Sequence, residues 1–405
     1  MKPILRAERM KPVHSDIRGP LFVEAMKRQK QGIDVLKLNT GNPATFGFGL
    51  PDSIKNALME HMQDGVGYCD FKGMPQARQA ICDYETSKGI KGITSDDVFI
   101  GNGVSEVVSF ALTPLLNDGD EVLVPSPSYS LWGNSVYLED GKPVFYTCDE
   151  QANWYPDIQD IRSKITDKTK AIVIINPNNP TGVLYPKEIL LEIIQIARES
   201  GLLIFADEIY DRLVMDGKQH ISLASLTEDV PVITLNGLSK SHCLCGYRCG
   251  WMVISGPREL TEDYRQGIIQ LTSLRLCANT MAQIVIPAAL DDMETPASMI
   301  RPGGRIYEQR EATVRELEKI NGLSFVKNDA AFYVFPKLDV KKFNITNDKQ
   351  FAHDLLDATN ILLVPGSGFD WKDPDHFRIV MLPQADVLSD AIRRMGTFLD
   401  GYKQK

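Results

Sequence analysis

Short apolar runs that alternate with helix-like stretches are the feature that most limits the fold of this 405-residue chain. Seven runs rich in β-forming residues stand at 98–100, 121–124, 144–146, 171–175, 202–206, 232–235 and 251–254. Several are unbroken, which is typical of strands covered on both faces. Helix-like stretches such as 105–116 and 186–200 separate many of them. The alternation predicts an α/β domain built on a largely parallel sheet.

The chain is too long for one simple core, and its pattern changes after the last run, which together indicate two domains. A long helical region is expected over 258–290, and the Pro- and Gly-rich segment 293–304 is typical of a boundary. The remaining expected elements are helices at 19–31, 51–62, 305–320 and 385–399 and strands at 325–327 and 331–335. We predict a large domain of residues 51–290 and a smaller α+β domain formed by residues 1–50 and 291–405.

Net charge, apolar segments and cysteine content limit the kinds of molecule that the chain can bind and the compartment in which it works. The formal net charge of −9 argues against a nucleic acid or an anionic membrane, although a local basic pocket for small anions remains compatible with it. The amino-terminal residues 1–14 lack the apolar core of a signal peptide, and no apolar run approaches the length of a membrane span. Seven cysteines without framework spacing fit reduced thiols, so we expect a cytoplasmic protein.

A lysine and an arginine lie eight residues apart between the last two runs. Lys240 follows a strand and a glycine turn, and Arg248 is flanked by Gly246 and Gly250. Desolvation lowers the pKa of a lysine and frees its amine to act as nucleophile or base. An arginine supplies a fixed fork for phosphate. A Schiff-base lysine beside a phosphate anchor is the requirement of pyridoxal 5′-phosphate (PLP) chemistry.

Ligands of open parallel sheets gather beyond the carboxyl ends of the strands, so polar residues that follow the runs are candidates for a site. Gly101-Asn-Gly-Val-Ser105 opens a helix whose free N–H groups suit an anion, and the alternative is a glycine turn capped by Ser105. In Asn176-Pro-Asn-Asn-Pro-Thr-Gly182 the prolines fix the loop, so that Asn179 can aim its amide at a ligand; the alternative is a simple proline turn.

Three further positions carry a structural alternative beside the functional one. Asp207 ends an apolar run, and Tyr210 lies three residues after it. The Asp207 carboxylate needs a cation, which a pyridinium nitrogen or a structural arginine would supply. Tyr129, held by two prolines, suits stacking on a flat ring or core packing. Arg378, within an apolar strand, suits a substrate carboxylate or a structural ion pair.

Three cysteines crowd the lysine segment, namely Cys243, Cys245 and Cys249. Their spacing matches no usual zinc pattern, so we expect free apolar thiols and no metal.

Six motifs stand in a fixed order: Gly101-Asn-Gly-Val-Ser105, Asn176-Pro-Asn-Asn-Pro-Thr-Gly182, Asp207-Glu-Ile-Tyr210, Ser239-Lys240, Arg248 and Arg378. In this order the chain resembles, over nearly its whole length, the class I aminotransferases of PLP fold type I. The resemblance implies an α/β large domain, with a mostly parallel mixed sheet flanked by helices, and a smaller α+β domain. It also implies an enzyme with amino-acid and 2-oxo-acid substrates.

The resemblance implies roles for individual residues. Lys240 forms the Schiff base with PLP and later moves the proton. Cofactor contacts are implied for Asp207 at the ring nitrogen, Tyr210 and Asn179 at the phenolic oxygen, Tyr129 on the ring face, and Val104, Ser105 and Arg248 at the phosphate. Arg378 binds the substrate α-carboxylate, assisted by Asn179 and the backbone near Gly41. Tyr68 reaches the phosphate of a neighbouring subunit, which implies a homodimer with shared active sites.

One position departs from the family pattern. Many relatives carry a hydroxyl side chain three residues before the lysine, where this chain has Gly237, so Ser239 or a backbone N–H is expected to replace that phosphate contact.

Within the family the chain is most similar to bacterial alanine aminotransferases. The motifs that carry this similarity are Asp16-Ile-Arg-Gly-Pro20, Asn39-Thr-Gly-Asn-Pro43, Phe46-Gly-Phe48, Gly67-Tyr-Cys-Asp70 and Leu274-Arg-Leu-Cys-Ala-Asn279. A ping-pong exchange of the amino group between alanine/pyruvate and glutamate/2-oxoglutarate is therefore expected. We hypothesise that Arg18 meets the second carboxylate of glutamate or orders the arm.

Three alternatives stay open at this point. The first is an aminotransferase for aspartate, aromatic or branched-chain donors, and the second is a PLP-dependent lyase. The third is a PLP-sensing regulatory module, for which we expect no room for a DNA-binding domain before residue 62 or after residue 304.

Overall fold

A computed structural model describes residues 3–405 of the chain. Fifteen strands are found in these residues: β1 (Leu36–Lys37), β2 (Val98–Asn102), β3 (Glu121–Ser126), β4 (Lys142–Asp149), β5 (Tyr155–Pro156), β6 (Thr169–Ile175), β7 (Leu203–Asp207), β8 (Val232–Gly237), β9 (Cys249–Ser255), β10 (Leu323–Ser324), β11 (Tyr333–Val334), β12 (Lys337–Leu338), β13 (Ile361–Leu362), β14 (Val364–Pro365) and β15 (Phe377–Val380).

Helices connect and cover these strands. Within residues 3–405 the α-helices are α1 (Pro20–Lys30), α2 (Asp52–His61), α3 (Pro75–Ser87), α4 (Val104–Leu112), α5 (Leu131–Leu138), α6 (Ile158–Lys164), α7 (Lys187–Ser200), α8 (Leu238–Ser241), α9 (Arg258–Arg275), α10 (Thr280–Ile284), α11 (Ile286–Asp291), α12 (Glu294–Ile300), α13 (Arg305–Leu317), α14 (Val340–Phe343), α15 (Asp348–Thr359) and α16 (Ala385–Gly401).

Eight strands form the large sheet, in the order β2-β9-β8-β7-β6-β3-β4-β5. The pairs β8–β7, β7–β6, β6–β3 and β3–β4 are parallel, whereas β9 runs antiparallel to both neighbours and β5 is an antiparallel edge strand. All seven strands expected from the apolar runs are present. Because β2, β3, β6, β7 and β8 point the same way, their carboxyl ends meet at one edge of the sheet, where β9 begins.

The two faces of the sheet explain the unbroken apolar runs. In β6, Ile172 and Ile174 enter one apolar cluster, whereas Ala171, Val173 and Ile175 enter the other. The first cluster also receives one face of α7 and the second receives one face of α4. Side chains alternate between the faces of a strand, so a strand covered by helices on both sides must be apolar at every position.

Shorter strands form smaller sheets away from this core. The strands β11, β15 and β14 form an antiparallel sheet, β10 pairs with β12, and β1 pairs in parallel with β13. Leu38, just after β1, lies in an apolar cluster whose other fully buried members come from residues 317–399. The amino-terminal segment is therefore packed with the carboxyl-terminal part of the chain.

Several expected elements differ from the structure. Residues 325–327 form no strand, and the strand expected over 331–335 is reduced to β11. The long helical region expected over 258–290 is present as three helices, α9, α10 and α11, and Leu276, with a φ of 76°, caps the end of α9. The segment 293–304 contains α12, and its interpretation as a boundary stays a prediction.

No single helix in the described residues has the length and apolar character needed to cross a membrane. One pair, α9 with the segment Thr280–Asp291, meets these criteria only in combination, and it is bent by 118°.

A buried ion pair ties α9 to the large sheet. Arg265 Nη1 donates to Asp97 Oδ1 at 2.6 Å, and its Nη2 donates to the Ile254 carbonyl of β9 at 3.1 Å. Both charged side chains are buried. The pair therefore fixes the helix against the turn that precedes β2.

Arg265→Met should lower the free energy of unfolding by about 3 kcal/mol, because it leaves the Asp97 carboxylate buried without its cation. Urea denaturation measures this change. The matched control is Arg258→Met on the same helix, since Arg258 pairs with the exposed Glu262 and its loss should have no measurable effect. Equal effects of the two substitutions would contradict this account.

Candidate functional site

Lys240 lies at the edge of the sheet where the parallel strands end. It follows β8 directly, in the short helix α8, and its Nζ donates to the Gly41 carbonyl at 3.0 Å. The Phe332 ring lies 5.8 Å from the same nitrogen. The amine is thus held at a fixed place by one backbone oxygen, and no carboxylate of residues 3–405 forms a salt bridge with it.

The expected direction of the Lys240 pKa is wrong. Burial disfavours the charged form, but neighbouring phenol and thiol groups, chiefly Tyr333, favour it more, and the pKa of Lys240 lies above its usual value. Arg378 acts in the opposite sense, because a second positive charge nearby favours the neutral amine. Burial, the effect expected from the sequence, is therefore outweighed by polar neighbours from other parts of the structure.

Asp207 is the last residue of β7 and is buried. Trp132 Nε1 donates to its Oδ2 at 3.0 Å. Burial raises the pKa of Asp207 to about 6. Within the described residues no cationic side chain forms a salt bridge with this carboxylate, so the structural arginine considered as an alternative is absent there. A buried carboxylate of this kind calls for a cationic or hydrogen-bond-donating ligand.

Arg378 lies in β15, as expected, and is 1% exposed. Its Nη1 donates to Asn179 Oδ1 at 2.9 Å and its Nη2 donates to the Asn39 carbonyl, while its Nε has no hydrogen-bond partner. The rings of Tyr333 and Phe369 each lie 4.6 Å from the guanidinium carbon.

No Asp or Glu among residues 3–405 pairs with Arg378, so the structural ion pair considered from the sequence is not found there. Burial lowers the pKa of Arg378, which expresses the cost of holding this charge away from water. A guanidinium buried among aromatic rings and amide oxygens is ready for a carboxylate that comes from outside the chain.

Two tyrosines, Tyr210 and Tyr333, lie among Lys240, Asp207 and Arg378. The Tyr210 hydroxyl donates to the Tyr333 hydroxyl at 3.0 Å, and both residues are buried. A Cβ atom added to Gly41 would lie 2.3 Å from the Tyr333 hydroxyl. The hydroxyl therefore packs directly against Gly41, whose carbonyl accepts the hydrogen bond from the Lys240 amine. Tyr129 is half-buried, and its phenol group favours the charged forms of Lys240 and Arg378.

An exposed arginine faces the start of α4. Arg248 has a φ of 59° and donates from Nη1 to the Cys245 carbonyl at 2.9 Å. A Cβ atom added to Gly103 would lie 2.2 Å from Arg248 Nη2, so only glycine lets the guanidinium approach the helix end. The N–H groups of Val104 and Ser105 open this nine-residue helix. The Arg248 guanidinium and the first N–H groups of α4 together form a site that can bind an anion.

The structure gives a steric reason for Gly237. A Cβ atom there would lie 2.5 Å from the Cys249 carbonyl oxygen and 3.1 Å from the Gly250 Cα, both on β9. A serine or threonine is therefore blocked by the neighbouring strand. Ser239 is half-buried in the first turn of α8, and its carbonyl accepts from Cys245 Sγ at 2.9 Å.

The other two cysteines of this segment have partners of their own. Cys249 Sγ donates to the Ala282 carbonyl at 2.8 Å, and Cys243 Sγ lies 3.9 Å from Met299 Sδ. The three thiols thus point to different partners. All seven cysteines of the chain are free.

Two expected site residues lie at the surface. Tyr68 is 84% exposed, and Arg18 is exposed with no salt bridge inside the described part of the chain. The residue before Arg18, Ile17, accepts at its carbonyl from Asn39 Nδ2 at 2.7 Å. Because the Asn39 carbonyl in turn accepts from Arg378, the arm is linked to the buried arginine.

The charges of the site fit PLP and its substrates. One buried carboxylate and three cationic side chains converge at the sheet edge, and none of the four takes part in a salt bridge within residues 3–405; they are Asp207, Lys240, Arg248 and Arg378. A phosphate, an aldehyde, a cationic ring nitrogen and a substrate carboxylate are the complementary groups. The residues present therefore fit the cofactor that the motifs imply.

Three residues of the site were not predicted as site residues from the sequence: Trp132, Tyr333 and Asn39. Tyr333 and Trp132 lie in apolar segments whose sequence predicts core packing. Their role in the site follows only from the hydrogen bonds of their polar atoms, to Tyr210 and Asp207 respectively. Asn39 acts through its backbone carbonyl, which no sequence pattern indicates.

Comparisons with known proteins agree with this geometry. The chain is 50% identical over its full length to a glutamate–pyruvate aminotransferase of Haemophilus influenzae, also covered in full. It is 45% identical to an alanine aminotransferase of Mycobacterium bovis over 98% of this chain and 93% of that protein. An aminotransferase crystal structure from Escherichia coli superimposes with a TM-score of 0.98 at 47% identity, with both chains fully covered. Residues 33–394 match the family model of class I and II aminotransferases, and the chain belongs to that family.

Proposed function

We propose that the protein is an alanine aminotransferase that exchanges an amino group between L-alanine/pyruvate and L-glutamate/2-oxoglutarate. The observation that carries the proposal is Arg378, a buried guanidinium whose carboxylate partner must come from a substrate, since all four of these acids carry an α-carboxylate. The names of the relatives at 45–50% identity support this pair of substrates. They do not favour another amino donor or a lyase.

The cofactor of this family of enzymes is pyridoxal 5′-phosphate. When bound, it supplies an aldehyde that bonds amines and a ring that takes up the electron pair released at the substrate Cα. Asp207 would hold the ring nitrogen, Tyr129 the ring face, and Tyr210 and Asn179 the phenolic oxygen. Arg248, with the N–H groups of Val104 and Ser105, would hold the phosphate. Ser239, half-buried in the first turn of α8, is proposed as a further phosphate contact.

The chain's own residues supply orientation and proton transfer. Arg378 binds the substrate α-carboxylate, and Asn179 holds the guanidinium in place. The Gly41 carbonyl holds the Lys240 amine beside this arginine, so the Cα–H bond of a substrate so anchored faces a base. In its neutral form Lys240 would remove the proton at Cα and deliver it to the aldehyde carbon of the cofactor. The two half-reactions use one site in turn, which gives ping-pong kinetics.

We also propose that two copies of the chain share their active sites, with Tyr68 contributing to the phosphate site of its neighbour. The support is an exposed ring next to exposed apolar side chains, which a second copy would cover: Val66 (77% exposed), Tyr68 (84%), Leu274 (82%) and Leu276 (52%).

The division into a large domain of residues 51–290 and a small domain of residues 1–50 and 291–405 is likewise proposed, supported by the pairing of β1 with β13. A cytoplasmic location is proposed on the basis of the seven free thiols.

Lys240→Ala should reduce steady-state turnover at least about 10³-fold, because both the covalent tether and the base at Cα are lost. The cofactor should still bind through Asp207 and Arg248, which equilibrium dialysis can measure. Lys168→Ala, at an exposed position, is the control and should leave turnover unchanged. Turnover close to that of the unmodified protein in Lys240→Ala would refute the proposal.

Arg378→Gln should lower kcat/KM on the order of 10²-fold for alanine and glutamate alike, because every substrate loses its anchor for the α-carboxylate. The thermal unfolding temperature should stay the same or rise, because a buried charge without a counterion is removed. Kinetics and thermal unfolding of the same preparation test both statements. A loss confined to one of the two amino acids would contradict the assigned role.

Arg18→Ala should raise KM for glutamate at least about tenfold more than KM for alanine, because only glutamate has a second carboxylate for this guanidinium. Arg18 is exposed and follows Ile17, whose carbonyl is tied to Asn39 beside Arg378. Steady-state kinetics with each amino acid give the two values. Equal increases would show that Arg18 does not recognise the second carboxylate.

A further inference from the structure

A buried cluster of charged side chains, not used by the chemistry above, lies against the segment that carries Asp207. The Lys88 Nζ atom lies 2.6 Å from Glu85 Oε2, 2.8 Å from Glu208 Oε2 and 3.2 Å from Asp211 Oδ2. The three carboxylate side chains are 0–3% exposed and that of Lys88 is 13% exposed. One ammonium group thus forms salt bridges with three buried carboxylates.

Two of these acids flank the site residues on β7 and the turn after it. Glu208 directly follows Asp207, and Asp211 directly follows Tyr210. Lys88 stands at the carboxyl end of α3 and reaches both acids at once. Its ammonium therefore bridges the carboxylates of Glu208 and Asp211 across the segment 207–211. This segment carries Asp207 and Tyr210, whose side chains belong to the site.

The rest of the cluster extends this bridge to the strand that carries Lys240. Asp211 Oδ2 also accepts from Tyr84 OH at 2.5 Å and from Asn236 Nδ2 at 2.7 Å. Asn236 lies near the end of β8, four residues before Lys240. The same acid consequently connects the end of α3, the turn after β7 and the end of β8.

Glu208 is anchored on its other oxygen. Its Oε1 accepts from Ser222 Oγ at 2.9 Å and from the Leu223 N–H at 3.0 Å. The Lys88 ammonium is the hydrogen-bonded link between the Glu208 and Asp211 carboxylates, while the Asp211 N–H donates to the Glu208 carbonyl at 3.0 Å and His220 Nε2 lies 4.0 Å from Glu208 Oε2. Although burial disfavours its charge, the carboxylates keep the pKa of Lys88 well above its ordinary value, so the bridge is charged.

The energetics make such a bridge stiff. Ions buried together are held by strong interactions in a medium of low polarisability, and loss of one partner leaves the others uncompensated. Without Lys88, Glu208 and Asp211 would repel each other and draw in water. The peptide between them, which includes Tyr210 and adjoins Asp207, would then move.

We propose that Lys88 is a positioning residue, whose ammonium holds the segment 207–211 so that Asp207 and Tyr210 face the cofactor. The inference rests on the proposed function, in which Asp207 pairs with the ring nitrogen. Lys88 touches neither cofactor nor substrate and acts through Glu208 and Asp211.

The test compares Lys88→Met with the unmodified holoenzyme by pH titration of the visible absorption band of the bound cofactor. The midpoint should rise by roughly one pH unit, because a displaced Asp207 no longer keeps the ring nitrogen protonated and a positive charge beside the chromophore is lost. The dissociation constant of the cofactor should rise and kcat should fall, each on the order of tenfold. An unchanged midpoint in folded Lys88→Met would overturn the proposal, even if its unfolding temperature were lower.

Two further variants separate positioning from charge balance. Lys88→Met/Asp211→Asn removes one charge of each sign, keeps acceptors for Tyr84 and Asn236, and supplies the measurement if Lys88→Met does not fold. The shifted midpoint should persist in it, because the bridge to Glu208 is still missing. The midpoint of the unmodified protein in this variant would mean that Lys88 only balances charge, and the proposal would be wrong. Lys91→Met, which removes an exposed partner of Glu228, is the matched control and should shift nothing.

Asp207→Asn, titrated in parallel, distinguishes failure of this inference from failure of the proposed function. An unchanged midpoint in Asp207→Asn would remove the assumed pairing with the ring nitrogen and with it the basis of both. A midpoint that moves in Asp207→Asn and stays fixed in Lys88→Met would overturn the positioning role alone.

Discussion

The site depends on charges that the chain buries without giving them partners. Asp207 and Arg378 are almost completely hidden from water, yet neither forms a salt bridge within residues 3–405. Burial raises the pKa of the first and lowers the pKa of the second, the directions in which an isolated charge responds to the loss of water. Such groups cost stability in the free protein and become favourable when a ligand supplies the opposite charge.

That cost is tolerable only if the surroundings do not move. Each buried charge is therefore held by a buried neighbour: Trp132 on Asp207, and Asn179 on Arg378. Behind Asp207 the bridge at Lys88 performs the same task with ions. The large sheet supplies the frame, because the strands that end at the site are hydrogen-bonded to one another and buried on both faces. Preorganised charge of this kind stabilises a ligand without reorganisation of the protein.

The sequence predicted the parts of this arrangement that have local signatures. Seven strands were recognisable because a doubly covered strand is apolar at every position. Asp207 was recognisable because it ends such a run, and Lys240 because it follows one after a glycine turn. Most of the two-residue strands were not, since two residues leave no periodic pattern, and residues 325–327 form no strand. Contacts that join distant segments, such as Tyr210 with Tyr333, also lack a local signature. The pKa of Lys240 was misjudged for the same reason, because Tyr333, the group that raises it most, lies far away in the chain.

Gly237 shows how close packing shapes the remaining chemistry. The strand β9 approaches β8 so closely there that a side chain would collide with the Cys249 carbonyl. At Gly103 a similar constraint works in favour of anion binding, because the missing side chain lets Arg248 reach the start of α4. Both glycines lie where β2, β9 and β8 end or begin, so one packing geometry excludes a hydroxyl from one position and brings a guanidinium to another. The absent hydroxyl thus follows from the strand spacing that also places Arg248 against the helix N–H groups, and these donors would compensate for it in binding a phosphate.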